Sequence, residues 1–183
     1  MAQVNLKEKL LGAATDLFHT KGFNAASVDD IVRAAGVPKG SFYNHFPSKE
    51  ALGVEVVRRY ANGYGEGIAL LGATGAPALD RLRAHLAFMV QRNATLGVER
   101  GCMLGNFATE MAAQSPAIAA ALQEAFDTWS NALVPVVAEL GHDADMADYI
   151  VNGLEGAFAR AKIIGSRRPL DQFIAVTLST IVT

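Results

Sequence analysis

Residues 27–46 contain two short helical patterns that are separated by a single glycine. Ser27 is a good N-cap, because its hydroxyl can accept a hydrogen bond from a free backbone N–H of the helix that follows. Gly36 supplies the positive φ that a tight turn needs, and Pro38 suits the first position of the next helix. The pattern therefore predicts a helix-turn-helix, a unit that places its second helix in the major groove of DNA.

Helical periodicity extends over almost the whole chain of 183 residues, and no stretch alternates apolar and polar residues for long enough to predict a strand. We expect an all-α fold, with an N-terminal three-helix helix-turn-helix DNA-binding domain at 1–48 and a helical ligand-binding and dimerisation domain at 49–183. The predicted helices, about nine, cover residues 5–21, 28–35, 38–44, 49–65, 77–95, 103–113, 116–140, 144–165 and 169–182. A glycine-containing stretch separates the fourth from the fifth.

Composition and motifs argue against an enzyme. The single cysteine, Cys102, excludes an intrachain disulfide framework and a multi-cysteine zinc site. The four histidines lack the i, i+4 spacing of a helical metal site, and the chain has neither a glycine-rich phosphate loop nor a nucleophile elbow. We therefore expect no catalysis, no metal and no cofactor.

Charge and hydropathy set further expectations. Residues 1–60 carry eight Lys or Arg and six Asp or Glu, a balance of +2, whereas the rest balances to −4. This asymmetry permits DNA binding at the N-terminal end without establishing it. The N-terminus does not resemble a signal peptide, and no apolar run reaches the ~18–20 residues of a spanning helix, so we expect a cytoplasmic protein without membrane contact. A hydrophobic content of 51% favours an oligomer.

The predicted second helix of the helix-turn-helix divides into two faces. Phe42 and Phe46 are four residues apart and should pack against the two preceding helices. Gly40 removes a side chain where the backbone would approach DNA closely. The remaining polar residues offer hydrogen-bond donors and acceptors to a groove or its phosphate walls, and they are Lys39, Ser41, Tyr43, Asn44 and His45.

The segment from Phe23 to Leu52 resembles the N-terminal domain of TetR-family repressors, and the similarity covers roughly residues 5–60. The shared features are the helix spacing, the Gly36-Val37 turn, the aromatic-rich third helix and the run Phe46-Pro47-Ser48-Lys49-Glu50 that leads into the fourth helix. The remainder of the chain fits this family only in length and number of helices.

The resemblance implies a role for each matching position. Lys39 and Ser41 would read or approach base edges, whereas Tyr43 and His45 would contact the DNA backbone or flanking bases. Ser27 and Lys49, which start the second and fourth helices, would bind phosphates, because helix N-termini present free N–H groups to anions.

Such domains bind DNA as dimers whose half-sites are about one helical turn apart. The last two predicted helices carry spaced apolar and small residues that could form a dimer interface: Met146, Ile150, Gly153, Ala157, Leu170, Ile174, Thr177 and Ile181. The alternative is that both helices are core elements of one subunit.

The effector site is harder to identify from sequence. Polar residues within apolar helices need partners if they are buried, and a ligand is one possible partner. The candidate ligand-binding residues are Asn106, Phe107, Glu110, Trp129, Tyr149, Asn152 and Lys162. Their alternative role is ordinary packing within the helical core.

Cys102 is the most specific sensing candidate. The run 101–106, Gly-Cys-Met-Leu-Gly-Asn, together with Ala161-Lys162-Ile163, resembles TetR-family regulators near the NemR and AcuR branches, which answer to electrophiles or small unsaturated acids. A position at a helix N-terminus near Arg100 predicts a lowered thiol pKa and a reactive thiolate, and Lys162 is expected nearby. The alternative is a small, buried, apolar cysteine.

Together these features predict a ligand-responsive DNA-binding transcriptional regulator. It would be a repressor that a small molecule or electrophile releases from a palindromic operator. Its expected partners are double-stranded operator DNA, a small-molecule effector and a second copy of the chain. A ligand-independent dimeric DNA-binding protein is the alternative.

Overall fold

The computed structural model describes residues 5–182, and all regular secondary structure in that range is helical. The ten α-helices are α1 Leu6–Lys21, α2 Val28–Ala35, α3 Lys39–Tyr43, α4 Lys49–Asn62, α5 Gly65–Leu71, α6 Ala78–Leu96, α7 Met103–Met111, α8 Pro116–Glu139, α9 Ala144–Ile164 and α10 Arg168–Thr180. A short 3-10 helix, Val98–Arg100, lies between α6 and α7. The nine predicted helices are all present, and the all-α prediction is confirmed.

Polar side chains cap the first, second and fourth helices. Asn5 accepts a hydrogen bond from the backbone N–H of Lys7 at the start of α1. Ser27 and Asp30 form a reciprocal capping box at the start of α2. Ser48 accepts from the backbone N–H of Ala51 at 3.0 Å and so starts α4. These caps satisfy backbone donors that would otherwise lack a partner, and they set the helix boundaries.

The turn between α2 and α3 has the expected geometry. Gly36 lies in the left-handed region, with φ 64° and ψ 36°, which residues with a Cβ rarely adopt. The backbone N–H of Val37 donates to the carbonyl of Val32 at 3.1 Å and closes the end of α2. On α3, Phe42 is fully buried and the nearby Phe46 is 2% exposed, so the aromatic pair attaches this short helix to the core as predicted.

Helix α4 leads from the helix-turn-helix into the larger helical part and packs on α1, α7 and α8. Helix α8 also packs on α6 and α9, and its Trp129 is fully buried. Gly165, with φ 61°, ends α9, and α10 then folds back on α9 and α6. The buried apolar residues form one continuous cluster that extends from α1 to the segment after α10.

Helix α5 lies in the stretch that was expected to be irregular because of its glycines. Gly67 lets α5 pack closely on α6, because a Cβ at this position would come within 2.5 Å of the Phe88 ring. The Gly67 carbonyl also accepts a hydrogen bond from His85 Nδ1 at 2.8 Å. Tertiary packing thus outweighs the low helix propensity of glycine. None of the described helices is long and apolar enough to cross a membrane.

Candidate functional site

The face formed by α3 and the start of α2 is exposed and polar. Tyr43 is 56% exposed although it is a large aromatic residue. A Cβ at Gly40 would meet no atom within 4 Å, so the backbone there is open to an approaching ligand. The other predicted DNA-contacting residues on this face are exposed, except Ser41, which is half-buried: Ser27, Lys39, Ser41, Asn44 and His45. We call this surface the recognition face.

Lys39 already has an anionic neighbour. Its Nζ lies 2.8 Å from Oδ1 of Asp29 in the first turn of α2, and both side chains are more than half exposed. The hydrogen bond and charge of Asp29 raise the pKa of Lys39. The lysine at the centre of the recognition face is therefore held in place by an ion pair between α2 and α3.

The ammonium group of Lys49, predicted to contact a phosphate, already makes hydrogen bonds within the protein. Its Nζ donates to the carbonyls of Phe23 and Ala26, both at 3.0 Å, and lies 4.4 Å from the centre of the Phe23 ring. Partial burial lowers its pKa. An ammonium group has three N–H donors, so one remains for a phosphate while two fasten the α1–α2 loop to α4.

A cleft of about 520 Å³ opens between α7, α8 and α9. Four of the predicted sensing residues line it: Cys102, Asn106, Asn152 and Lys162. Its remaining lining residues are Gly101, Gly105, Ala108, Thr109, Phe126, Glu155, Ala159 and Ile163. We call this the Cys102 cleft, and it brings together residues that are 60 positions apart in the sequence.

The Cys102 thiol differs from the sequence prediction. The residue does precede α7 as its N-cap, but it is only 4% exposed. Burial raises its pKa well above the ordinary value, and the nearby charge of Glu155 raises it further. Arg100, expected to lower this pKa, instead pairs with Asp16 at 2.8 Å. The predicted lowering of the thiol pKa is therefore wrong, because desolvation outweighs the helix N-terminus.

Tyr64 and Glu155 are the two polar neighbours of the thiol that sequence reasoning missed. Tyr64 Oη lies 3.2 Å from Cys102 Sγ. Glu155 is partly buried, its Oε1 atom is buried and has no hydrogen-bond partner among the described residues, and burial raises its pKa to about 7. A signal for Glu155 was present, because it follows Asn152 by three residues and precedes Lys162 by seven, on the same face of α9.

Lys162 and Asn106 form the rim of the Cys102 cleft. Lys162 Nζ donates to Asn106 Oδ1 at 2.9 Å, and Asn106 Nδ2 donates to the carbonyl of Arg100 at 2.9 Å. Lys162 lies on the exposed side of α9. The expected proximity of Lys162 to the segment around Cys102 is therefore present, with the ammonium group at the mouth of the cleft.

The other four sensing candidates do not line the Cys102 cleft. Phe107 is buried between the rings of Phe18 and Phe23, with 5.7 Å between centroids in each pair. Trp129 is fully buried and donates to His85 Nε2 at 2.9 Å, although its edge also borders a small pocket of about 90 Å³. Tyr149 is 55% exposed on the outer side of α9. These side chains are core or surface groups.

Glu110, the fourth, connects the two parts of the molecule. Its carboxylate accepts hydrogen bonds from the backbone N–H groups of Phe23 and Asn24, at 2.9 and 2.6 Å. Those residues form the loop between α1 and α2, so the C-terminal half of α7 holds the helix-turn-helix directly. At the other end of α7, the carbonyl of Gly101 lies 3.1 Å from His19 Nε2 on α1.

The predicted dimer-interface residues are largely covered within one chain. Ile150, Ala157, Leu170, Thr177 and Ile181 are buried in the subunit. The other three are partly covered, since Met146 and Ile174 pack against the core and Gly153 lies directly against the Phe173 ring. This corrects the interface prediction: the apolar stripe is the contact between α9 and α10 and their own core.

The opposite sides of α9 and α10 carry apolar groups in solvent. Ile163 is 82% exposed, Ile164 50% and Val176 53%. A groove of about 580 Å³ runs between the two helices. Its lining residues are Gly156, Ala157, Arg160, Ile164, Arg168, Pro169, Gln172, Phe173 and Val176. Exposed apolar surface of this kind marks sites of protein association.

Two family models match the chain. The model of bacterial regulatory proteins of the tetR family matches residues 10–56, which contain the helix-turn-helix. The model of the C-terminal domain of LmrA/YxaF-like transcriptional regulators matches residues 78–176, more than half of the chain. The two matches together include both the recognition face and the Cys102 cleft.

Individual relatives are similar over nearly their full length. The chain is 32% identical to the HTH-type transcriptional repressor DhaR of Mycobacterium sp. (strain GP1), over 99% of this chain and 94% of DhaR. It is 33% identical to the transcriptional regulator AcuR of Cereibacter sphaeroides, over 91% of this chain and 80% of AcuR. The crystal structure of reduced NemR from E. coli has a TM-score of 0.81 and 25% identity, and 94% of each chain is covered.

Proposed function

We propose that this chain, which belongs to the TetR family of DNA-binding transcriptional regulators, is a homodimeric cytoplasmic repressor that a small molecule or electrophile releases from a palindromic operator. The family membership confirms the predicted regulator rather than an enzyme. The release by an effector rests on one observation: α7 has the Cys102 thiol at its start and Glu110, which holds the helix-turn-helix, near its end.

The recognition face supports the DNA-binding part of the proposal. Tyr43 and Lys39 project from α3, and the free backbone N–H groups at the starts of α2 and α4 suit phosphate oxygens. We assign base contacts to Lys39 and Ser41, with Gly40 allowing close approach. We assign backbone or phosphate contacts to the surrounding residues Ser27, Tyr43, Asn44, His45 and Lys49.

We assign dimerisation to the exposed sides of α9 and α10, in place of the covered stripe. Val176 and Ile164 border the groove between these helices, and Gly156 would let a partner helix approach closely because it has no side chain. Two such hairpins form a four-helix bundle, which would set the distance between the two recognition faces.

The Cys102 cleft is our candidate effector site. An adduct on Cys102 would press against Tyr64, because Tyr64 Oη lies 3.2 Å from Sγ and the thiol is buried. We infer that the start of α7 shifts when the thiol is modified, and that Glu110 carries this movement to the α1–α2 loop. An effector acts in this way only if it interacts differently with the DNA-binding and the released conformations.

A ligand-independent DNA-binding protein is the second candidate function. It is favoured by the burial of Cys102 and by its raised pKa, since both reduce the amount of reactive thiolate. The two candidates agree on DNA binding and differ only in the response to an effector.

The test measures binding of the purified protein to the DNA that flanks its own gene, before and after treatment with a thiol electrophile. Because Cys102 is the only cysteine, thiol modification is confined to one site, and Cys102→Ser is the matched control. The proposal predicts specific binding that treatment abolishes in the wild type but not in Cys102→Ser. Binding that treatment leaves unchanged would support the ligand-independent alternative, and no specific binding at moderate salt would contradict both.

A further inference from the structure

We propose that Glu155 accepts the proton of the Cys102 thiol when that thiol adds to a small, uncharged α,β-unsaturated carbonyl compound bound in the Cys102 cleft. This inference rests on the proposed function of Cys102 as the sensing residue. It assigns a second residue, Glu155, to the sensing step and names the chemical class of the ligand. Three features carry it: the position of Glu155, the unpaired state of its carboxyl oxygen, and the character of the cleft walls.

The first feature is position. Glu155 on α9 and Cys102 before α7 line the same cleft. They are close enough that each changes the pKa of the other. Oε2 of Glu155 is packed against Gly105, where a Cβ would come within 2.5 Å of it. A side chain at position 105 would require this carboxyl group to shift, so Gly105 leaves room for it in the wall of the cleft.

The second feature is an unused acceptor. Oε1 of Glu155 is buried and has no hydrogen-bond partner among the described residues. A buried carboxyl oxygen without a partner is costly and calls for an explanation, and a role in proton transfer supplies one. A proton that leaves the thiol during addition supplies the missing partner.

The chemistry requires such an acceptor. Burial raises the thiol pKa, so little free thiolate exists at neutral pH, and the proton must leave while the carbon–sulfur bond forms. Glu155 is matched to this task, because burial brings its pKa to about 7. Tyr64, whose phenol stays protonated because burial raises its pKa, can donate a hydrogen bond to the sulfur as negative charge develops.

The proposed step balances without a further reagent. Sγ of Cys102 forms a bond to the β-carbon of the electrophile while its proton passes to the Glu155 carboxylate. The C=C π electrons move onto the α-carbon and the carbonyl oxygen as an enolate. Glu155 then returns the proton to the α-carbon, which leaves a thioether and an ionised carboxylate. Nothing is oxidised or reduced.

The cleft walls indicate the class of electrophile. Ala108, Phe126 and Ala159 provide apolar surface, and ionised Glu155 repels an anion near the thiol. Lys162 and Asn106, at the rim, offer N–H donors to a carbonyl oxygen. A small, neutral, unsaturated carbonyl compound fits these surroundings.

The decisive experiment measures the rate at which N-ethylmaleimide alkylates Cys102, followed by intact-protein mass spectrometry. Glu155→Gln should lower the second-order rate constant at pH 8 by about 10²-fold, the usual range for loss of a general base. If the thiol instead reacts as a free thiolate, removal of the neighbouring negative charge lowers its pKa and the rate constant rises. The two mechanisms thus predict changes of opposite sign, and a rise or no change overturns the proposal.

A pH profile separates proton transfer from a packing role. The wild-type rate constant should increase as Glu155 ionises through about pH 7, and Glu155→Gln should lose this step. The other ionisable groups that face this site are Tyr64, Tyr60 from α4, His19 from α1, Arg92 from α6, Arg100, and Lys162 from α9. They are unchanged in the variant, so a step that persists in it would contradict the role of Glu155.

Two further variants complete the design. Asp145→Asn removes an exposed carboxylate from the first turn of α9 and should leave the rate constant unchanged. Glu155→Asp retains a carboxylate and should recover part of the rate. Failure of wild-type Cys102 to react at all would contradict the electrophile sensing of the proposed function, whereas reaction that Glu155→Gln does not slow would contradict this inference alone.

Discussion

The recognition face and the Cys102 cleft represent two ways of building a functional surface. On the recognition face, neighbouring residues of one short helix project into solvent, and caps and a glycine turn fix the backbone beneath them. In the Cys102 cleft, single side chains from distant helices meet in the interior, where burial changes their pKa values. The first depends on local sequence, whereas the second depends on tertiary packing, and substitutions should affect the two differently.

The largest expected difference is in stability. Trp129→Ala should lower the free energy of unfolding by about 3–5 kcal/mol, because it empties a fully buried site and removes the hydrogen bond to His85. Tyr43→Ala, at an exposed site, should change it by less than about 0.5 kcal/mol. Urea denaturation at one fixed protein concentration measures the free energy of unfolding of both variants and of the wild type. A small effect of Trp129→Ala would mean that this tryptophan lines an open ligand site instead of the core.

The second prediction concerns Glu155 and the pH dependence of stability. Its pKa rises from 4.5 to about 7 on folding, so the ionised form is disfavoured in the native state. The contribution of this carboxyl group to the free energy of unfolding of the wild type is fully present below pH 4.5. It is lost as the pH rises through about 7. Glu155→Gln should therefore stabilise the protein by about 3 kcal/mol above pH 7 and by almost nothing below pH 4.5.

Thermal unfolding of the wild type and of Glu155→Gln across this pH range measures the difference in stability. Because the other titrating groups are the same in both proteins, their contributions cancel in this difference. An advantage of Glu155→Gln that does not vary with pH would show that the carboxyl group is solvated and that the cleft is open. The recognition face offers a contrast, because its side chains are exposed and their removal should have no comparable pH dependence.

Third, the recognition face should influence binding and not stability. Lys39→Ala should weaken specific operator binding by about 1–3 kcal/mol, or roughly 5- to 150-fold, if Lys39 contacts a base edge. Fluorescence anisotropy with operator and unrelated DNA measures the loss. Arg33→Ala, also exposed but beyond the predicted contacts, is the control. An equal loss on both DNAs would reassign Lys39 to a phosphate contact.

The smallest expected effect tests the connection between the two regions. Glu110→Gln keeps one acceptor for the Phe23 and Asn24 N–H groups but removes the charge, so stability should fall by only about 1 kcal/mol. Loss of DNA binding on Cys102 modification should nevertheless be reduced in this variant. If modification still abolishes binding as in the wild type, Glu110 does not transmit the signal, and helix α4 and the contact of His19 with Gly101 are the next connections to test.

The contrast between the regions also explains what could be predicted from sequence. The helix-turn-helix was predicted nearly residue by residue, because its determinants, Ser27, Gly36 and the Phe42–Phe46 pair, act within a few positions. Cys102 was placed correctly before a helix, yet its pKa was predicted in the wrong direction. The desolvation that decides it comes from packing that brings Tyr64 and Glu155 around the thiol, and local sequence does not encode that arrangement.

The last two helices show the same limitation. Their apolar spacing predicted buried helix faces, but periodicity does not reveal whether the covering partner belongs to the same chain or to a second one. Ile150 and Leu170 turned out to face their own core, whereas Ile163 and Val176 face solvent. Helix α5 was missed for a related reason, since the Phe88 ring that packs on Gly67 comes from a different helix.

The ion pair between Lys39 and Asp29 has a thermodynamic consequence for operator binding. A free lysine that neutralises a phosphate releases a condensed cation from the DNA, and salt therefore weakens the contact. Lys39 must first leave Asp29, and that exchange is itself favoured when salt screens the 2.8 Å pair. The two effects oppose each other, so Lys39 should contribute less to the salt dependence of binding than an unpaired lysine. Once Lys39 has left it, the unpaired Asp29 carboxylate lies close to the DNA and weakens binding. Binding is then favourable only to DNA sequences that give Lys39 a better partner than Asp29.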